Sequence, residues 1–182
     1  MIINVQNFLT GLRILAIPVF IALFLQGRLG AALAVFVGAQ VTDVLDGIAA
    51  RALRQFTRLG AILDPLADKA MGMAALVLLC WSHRLPAWLL WLVLAREICI
   101  FTAIGLLDRS GRSYQIRPTR FGKYSTFFLA ATTFVALILH ARETGHSAAL
   151  LALTLVAAEC VLISWGQYLW IWIGLMRQPR PA

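Results

Sequence analysis

The 182-residue chain carries 16 Lys and Arg against 8 Asp and Glu, yet only 13% of its residues are charged and 61% are hydrophobic, with mean hydropathy +0.83. A water-soluble domain holds about 25% charged residues, so these values exclude a soluble globular protein and point to one all-α membrane domain spanning residues 1–182. The net charge of +8 is not a nucleic-acid signal, because the basic residues gather at the ends of apolar runs.

Six apolar stretches of about 20 residues follow in order, each long enough to cross a bilayer. The first, at about 8–26, follows a short N-terminal interfacial segment; Asn7, Thr10 and Arg13 there make a poor leader n-region, which argues against a cleaved signal peptide. The second, at about 30–50, ends in Asp43 and Asp46, and the third, at about 59–82, opens with Gly60, Asp64 and Asp68. A fourth, at about 86–107, contains Arg96-Glu97, and a fifth, at about 121–140, opens with Gly122-Lys123. The sixth, at about 148–175, carries Glu159, expected to pair with a polar neighbour such as Gln167. Cys80, Cys99 and Cys160 lie within spans at no ligand spacing and read as reduced structural cysteines. Trp81, Trp88, Trp91, Trp165, Trp170 and Trp172 read as interfacial belt or packing. His83, His140 and His146 fall near loops on the side away from the acids and are not expected to be catalytic.

An even number of spans puts both termini on one side. That side collects Arg13, Arg51, Arg54, Arg58, Arg109, Arg112, Arg117, Arg120, Lys123, Arg177 and Arg180, whereas the other keeps only Arg28, Arg84 and Arg142. The positive-inside rule then places the termini and the loops near 51–58 and 108–120 in the cytoplasm of a cell (inner) membrane protein. The basic 108–120 loop suits an anion or lipid headgroup.

Half of the acidic residues, Asp43, Asp46, Asp64 and Asp68, fall in a single window of this apolar chain. A carboxylate at a membrane helix centre costs roughly 2.5–3.5 kcal/mol, and four close together repel one another unless something positive sits among them. Spacings of three and four place each pair on one helical face, and the short connection lets the faces meet at the cytoplasmic mouth of spans two and three. Four carboxylates form a hard oxygen site suited to Mg²⁺ or a similar ion, and their charge favours two ions. Gly47 and Gly60 admit a ligand close to the backbone, and Arg51, one turn beyond Gly47, suits a phosphate. A plain ion pair with Lys69 or Arg96 accounts for one or two of the acids, not four. A carboxylate-lined cation transporter is the alternative from another class, but it gains nothing from Arg51.

The pattern Asp43-x-x-Asp46-Gly47-x-x-Ala50-Arg51, then Gly60-x-x-x-Asp64-x-x-x-Asp68, resembles the complete signature of the CDP-alcohol phosphotransferases. That resemblance implies a six-helix membrane domain, usually a homodimer, with its active site at the cytoplasmic interface and Mg²⁺ or Mn²⁺ as cofactor. It further implies displacement of CMP from CDP-diacylglycerol by an acceptor hydroxyl. By motif position, Asp43, Asp46 and Asp64 are metal ligands, and Asp68 binds metal and takes the acceptor proton. Gly47, Ala50, Arg51 and Gly60 line the nucleotide and pyrophosphate site.

Three further stretches resemble the phosphatidylglycerophosphate synthase branch. Asn7-Phe8-Leu9-Thr10-Gly11-Leu12-Arg13 is similar to its P-N-x-x-T-x-x-R pattern, with Gln6 in place of proline, which directs Thr10 and Arg13 at the donor phosphates; a helix cap and a snorkelling arginine are the plainer reading. Arg96-Glu97 resembles its A-R-E element, with Arg96 receiving the acceptor's phosphate and Glu97 orienting it, or else a helix-packing ion pair. Gly122-Lys123-x-x-Thr126 resembles its G-K-x-K-T motif, but Ser125 replaces the second lysine and Leu129 stands where glutamine is common. Arg117, Arg120 and Lys123 remain candidates for an acceptor pocket. The resemblance implies glycerol 3-phosphate as acceptor, with phosphatidylglycerol, the substrate of a cardiolipin synthase, as the alternative.

Overall fold

The computed structural model describes residues 5–53, 58–109, 119–145 and 147–177, with side chains outside the described set at 5–10, 43–53, 58–66, 68, 104, 108, 109 and 177. Six helices follow one another: α1 Val5–Leu25, α2 Leu29–Leu53, α3 Arg58–Trp81, α4 Ala87–Arg109, α5 Arg120–Ala141 and α6 Ala148–Arg177. They match the six apolar stretches to within a few residues, and no strand occurs among the described residues. At the start, α1 begins at Val5, a few residues before the expected span, and residues 1–4 of the expected interfacial segment lie outside the described residues.

By length and composition, Ala87–Leu107, Arg120–Ala141 and Ala148–Met176 can cross a membrane, with mean hydropathies of 2.0, 1.6 and 2.1. In α1, α2 and α3 the apolar runs among the described residues are shorter: Gly11–Leu25, Leu29–Thr42 and Lys69–Trp81. Residues outside the described set bound these runs; the helices themselves run to 21, 25 and 24 residues.

The chain forms two compact units. The first comprises residues 1–84 and 136–145, in which α1 packs on α2 and α3, and α2 packs on α3. Its core combines rings with small residues: Phe20, Phe24 and Phe36 and Ala32, Ala39, Ala67 and Ala75 are all buried. Phe20 lies 5.8 Å from Phe36, ring centre to ring centre, in a tilted pair. The alanines let backbones approach, which substitutes for a hydrophobic driving force within lipid. His140 stacks at 5.4 Å on Phe24 and is a packing residue in this unit.

The second unit comprises residues 85–135 and 146–182, with α4 against α6. The buried positions of α6 are Leu150, Thr154, Ala157, Ala158, Val161 and Ser164, which lie along a single face. Leu151, Leu155, Leu162, Ile163, Leu169 and Trp170 point outward instead. An apolar outer face of that extent suits lipid, not water. The buried hydroxyls of Thr132 and Thr154 are satisfied within their helices, bonding to the Phe128 and Leu150 carbonyls, both at 2.8 Å. Trp81, Trp88 and Trp91 are exposed, as expected of a belt.

The helix ends reveal a recurrent device. Helices α1, α3 and α5 each close on a residue of positive φ: Gly27 (73°), His83 (57°) and Glu143 (53°). In each, the next amide bonds back to a carbonyl of the last turn: Arg28 to Leu23, Arg84 to Leu79 and Thr144 to Leu139. This satisfies carbonyls that the helix leaves orphaned. Arg84 also donates to the Thr144 carbonyl at 2.8 Å, tying two of these closures together.

Candidate active site

The aspartate signature lies in the first unit, divided between the C-terminal half of α2 and the N-terminal half of α3. With 3.6 residues per turn, positions 43, 46, 47, 50 and 51 fall within about 140° of the α2 circumference, and positions 60, 64 and 68 within about 80° of α3. The helices pack together and are joined by residues 54–57 alone. Each motif segment covers about 12 Å of helix, adjoining that connection. The side chains of Thr10, Asp43, Asp46, Gly47, Ala50, Arg51, Gly60, Asp64 and Asp68 lie outside the described set, so their contacts are not part of this geometry. The donor set itself fits a hard divalent ion: carboxylate oxygens, shared faces and two packed helices.

Arg13, on α1 in the same unit, is 2% exposed. It is therefore not a snorkelling arginine, which would reach the surface. Nor does Thr10 cap a helix, since it stands within α1, which begins at Val5.

The second unit holds the proposed acceptor residues. Arg96 is buried in the middle of α4, and its Nη1 donates to Glu97 Oε1 at 2.8 Å. Its described ion pair is with Glu97. From α6, Ser164 Oγ accepts a bond from Arg96 Nη2 at 3.2 Å, and the Tyr168 ring lies 5.9 Å from the guanidinium carbon. Arg96 Nε is buried without a hydrogen-bond partner among the described residues.

Helix α5 enters the same neighbourhood at its first turn. Thr119 caps it, its Oγ1 accepting the Gly122 amide at 3.0 Å. A Cβ at Gly122 would stand 3.0 Å from Thr119 Oγ1, 3.2 Å from the Tyr168 hydroxyl and 3.6 Å from Ser164 Oγ. A side chain there would require these neighbours to give by a few tenths of an ångström. Ser125, where a second lysine was looked for, is fully buried and bonds to the Gly122 carbonyl at 2.9 Å. Arg120 and Lys123 are exposed on that first turn, and Arg117 lies outside the described residues. Ser164 and Tyr168 escaped the sequence reading, because a serine and a tyrosine in an apolar span carry no motif. Their partner, Arg96, lies 68 positions from Ser164 in sequence.

The expected Glu159–Gln167 pair does not form. Glu159 is exposed and the Gln167 Oε1 is buried without a partner among the described residues. Eight residues of helix separate the two by about 12 Å, too far for a direct bond.

A model of the CDP-alcohol phosphatidyltransferase family matches residues 3–173, nearly the whole chain. The chain belongs to that family. Among similar proteins, a cardiolipin synthase (CMP-forming) of Streptomyces coelicolor is 34% identical over 96% of this chain and 81% of its own length. A CDP-diacylglycerol–glycerol-3-phosphate 3-phosphatidyltransferase of Pseudomonas fluorescens is 36% identical over 98% and 91%. One of the same description from Aquifex aeolicus is 30% identical over 91% and 93%. Membership of the CDP-alcohol phosphatidyltransferase family decides against the cation-transporter reading, since it makes the acidic window part of a transferase signature.

Proposed function

We propose that this family member transfers a phosphatidyl group from CDP-diacylglycerol to the hydroxyl of glycerol 3-phosphate and releases CMP. The observation that carries the reading is the unbroken aspartate signature on two packed helices, within a family match that runs across both units. That continuity supports treating residues 1–182 as one catalytic domain. The relatives described as acting on glycerol 3-phosphate support the acceptor.

In this reading Asp43, Asp46, Asp64 and Asp68 hold divalent metal, Mg²⁺ or Mn²⁺, with two ions balancing four carboxylates. Bound metal supplies positive charge to the pyrophosphate and to the departing CMP. Arg51 and Arg13 bind donor phosphates, with Thr10, Gly47, Ala50 and Gly60 lining the nucleotide site. Asp68 takes the proton of the acceptor hydroxyl as its oxygen bonds to the lipid-side phosphorus. The bond from that phosphorus to the CMP oxygen breaks, and its electron pair leaves with CMP. Arg96, with Arg117, Arg120 and Lys123, binds the acceptor's phosphate. The charge asymmetry of the loops supports six spans in the inner membrane, with the site and both termini cytoplasmic. The family resemblance supports a homodimer.

The Streptomyces relative favours a second reading, in which the acceptor is phosphatidylglycerol and the product cardiolipin. Purified protein with metal and CDP-diacylglycerol, offered each acceptor in turn, separates them: CMP release with glycerol 3-phosphate supports the first, and release with phosphatidylglycerol alone replaces it with the second.

A further inference from the structure

We infer that Ser164 and Tyr168 on α6 are positioning residues for the acceptor, holding the Arg96 guanidinium in the orientation in which it receives the acceptor's phosphate. The inference rests on the acceptor role proposed for Arg96. A guanidinium is a rigid plane of five N–H donors, so fixing two of its nitrogens fixes the direction of the third. Glu97 takes Nη1 at 2.8 Å and balances the charge. Ser164 takes Nη2 at 3.2 Å, and the Tyr168 ring lies 5.9 Å from the guanidinium carbon. Nε–H is left buried with no partner among the described residues. A buried donor without a partner carries a desolvation cost, and an incoming phosphate oxygen removes it.

Two further observations distinguish this cluster from ordinary helix packing. The buried hydroxyls of Thr132, Thr133 and Thr154 turn back to their own helix carbonyls. Ser164, fully buried, instead receives a bond across the helix pair from Arg96. In addition, the bare Gly122 brings the first turn of α5 against the same two α6 side chains, 3.2 Å and 3.6 Å from the position of a Cβ. That turn carries Arg120 and Lys123. The Arg96 guanidinium and the turn that bears Arg120 and Lys123 therefore both meet Ser164 and Tyr168.

The test is steady-state CMP release by the full-length protein, varying glycerol 3-phosphate at saturating CDP-diacylglycerol and then the reverse. Ser164→Ala removes one hydrogen bond to a charged group and should raise the acceptor KM about ten-fold. The kcat and the KM for CDP-diacylglycerol should stay within about two-fold, and Ser164→Thr should restore the acceptor KM. Tyr168→Leu should act like Ser164→Ala, whereas Tyr168→Phe, which keeps the ring, should not; this pair decides the matter if Ser164→Ala fails to fold. An unchanged acceptor KM in Ser164→Ala and Tyr168→Leu, with a large increase in Arg96→Met, overturns the positioning role and leaves Arg96 in place. An unchanged acceptor KM in Arg96→Met removes the acceptor role of Arg96, and the inference falls with it. Equal losses in kcat and both KM values show a structural role and also overturn it.

Discussion

Replacing Glu97 tests how the charge on Arg96 is held. Glu97 Oε1 lies 2.8 Å from Arg96 Nη1, with the two side chains only 16% and 11% exposed, so water screens the pair little. Removing one partner from a buried pair costs about 3–5 kcal/mol, chiefly because the other charge is left uncompensated. Glu97→Leu leaves Arg96 with Ser164 as its one hydrogen-bond acceptor among the described residues and the Tyr168 ring, and should cost about 3 kcal/mol, the lower end because some solvent reaches both groups. For a chain of this size that corresponds to a fall in melting temperature of about 6–12 °C. Glu97→Gln keeps an oxygen acceptor at the same reach and should cost about half as much. In Arg96→Met/Glu97→Leu neither charge remains, and most of the loss should return, as replacing a buried pair by apolar residues is often neutral. The assay is thermal unfolding of the parent, these three variants and Arg96→Met in one detergent, which completes a double-mutant cycle. A Glu97→Leu protein no less stable than Glu97→Gln, or a double variant as unstable as Glu97→Leu, would refute the reasoning, since Arg96 would then be neutralised by another group.

Asp68→Asn should abolish CMP release while CDP-diacylglycerol binding, followed by equilibrium dialysis, stays within a few-fold of the parent; a near-parental rate removes Asp68 as the base. Glu143→Gly, at φ 53° on an exposed turn, should raise stability by about 0.5–1 kcal/mol, the left-handed penalty less the added freedom of glycine in the unfolded chain. Lower stability in that variant would mean that the Glu143 side chain contributes more than its backbone strain costs. Gly122→Val should cost about 2–3 kcal/mol, because even its Cβ meets Thr119 Oγ1 at 3.0 Å and the Tyr168 hydroxyl at 3.2 Å. Unfolding at parental temperature would show that α5 and α6 can separate there without loss.

Much of the fold was legible because helix length in lipid is set by hydrophobic thickness, and the apolar runs end where Arg, Gly or Pro accumulate. The placement of the aspartate motif on α2 and α3 was legible for a related reason. Spacings of three and four, together with Gly47 and Gly60, lie within one or two adjacent helices, so local periodicity is enough to align them. What escaped was tertiary. Ser164 and Tyr168 hold a group on another helix, and neither residue type signals that in an apolar span. Arg13 was open to a snorkelling reading because its sequence position, near a span end, does not reveal that the first unit buries it. The left-handed closures at His83 and Glu143 were hidden because the residues there are not glycine. The Glu159–Gln167 expectation failed on helix rise, a distance that the sequence already contained.

The most direct test of the proposed transfer reaction is CMP release by the purified full-length protein with Mg²⁺ or Mn²⁺, CDP-diacylglycerol and glycerol 3-phosphate. The aspartate signature predicts stoichiometric formation of CMP and phosphatidylglycerophosphate, dependent on added metal. Folded protein that forms neither product with glycerol 3-phosphate, phosphatidylglycerol or any other alcohol acceptor would contradict it.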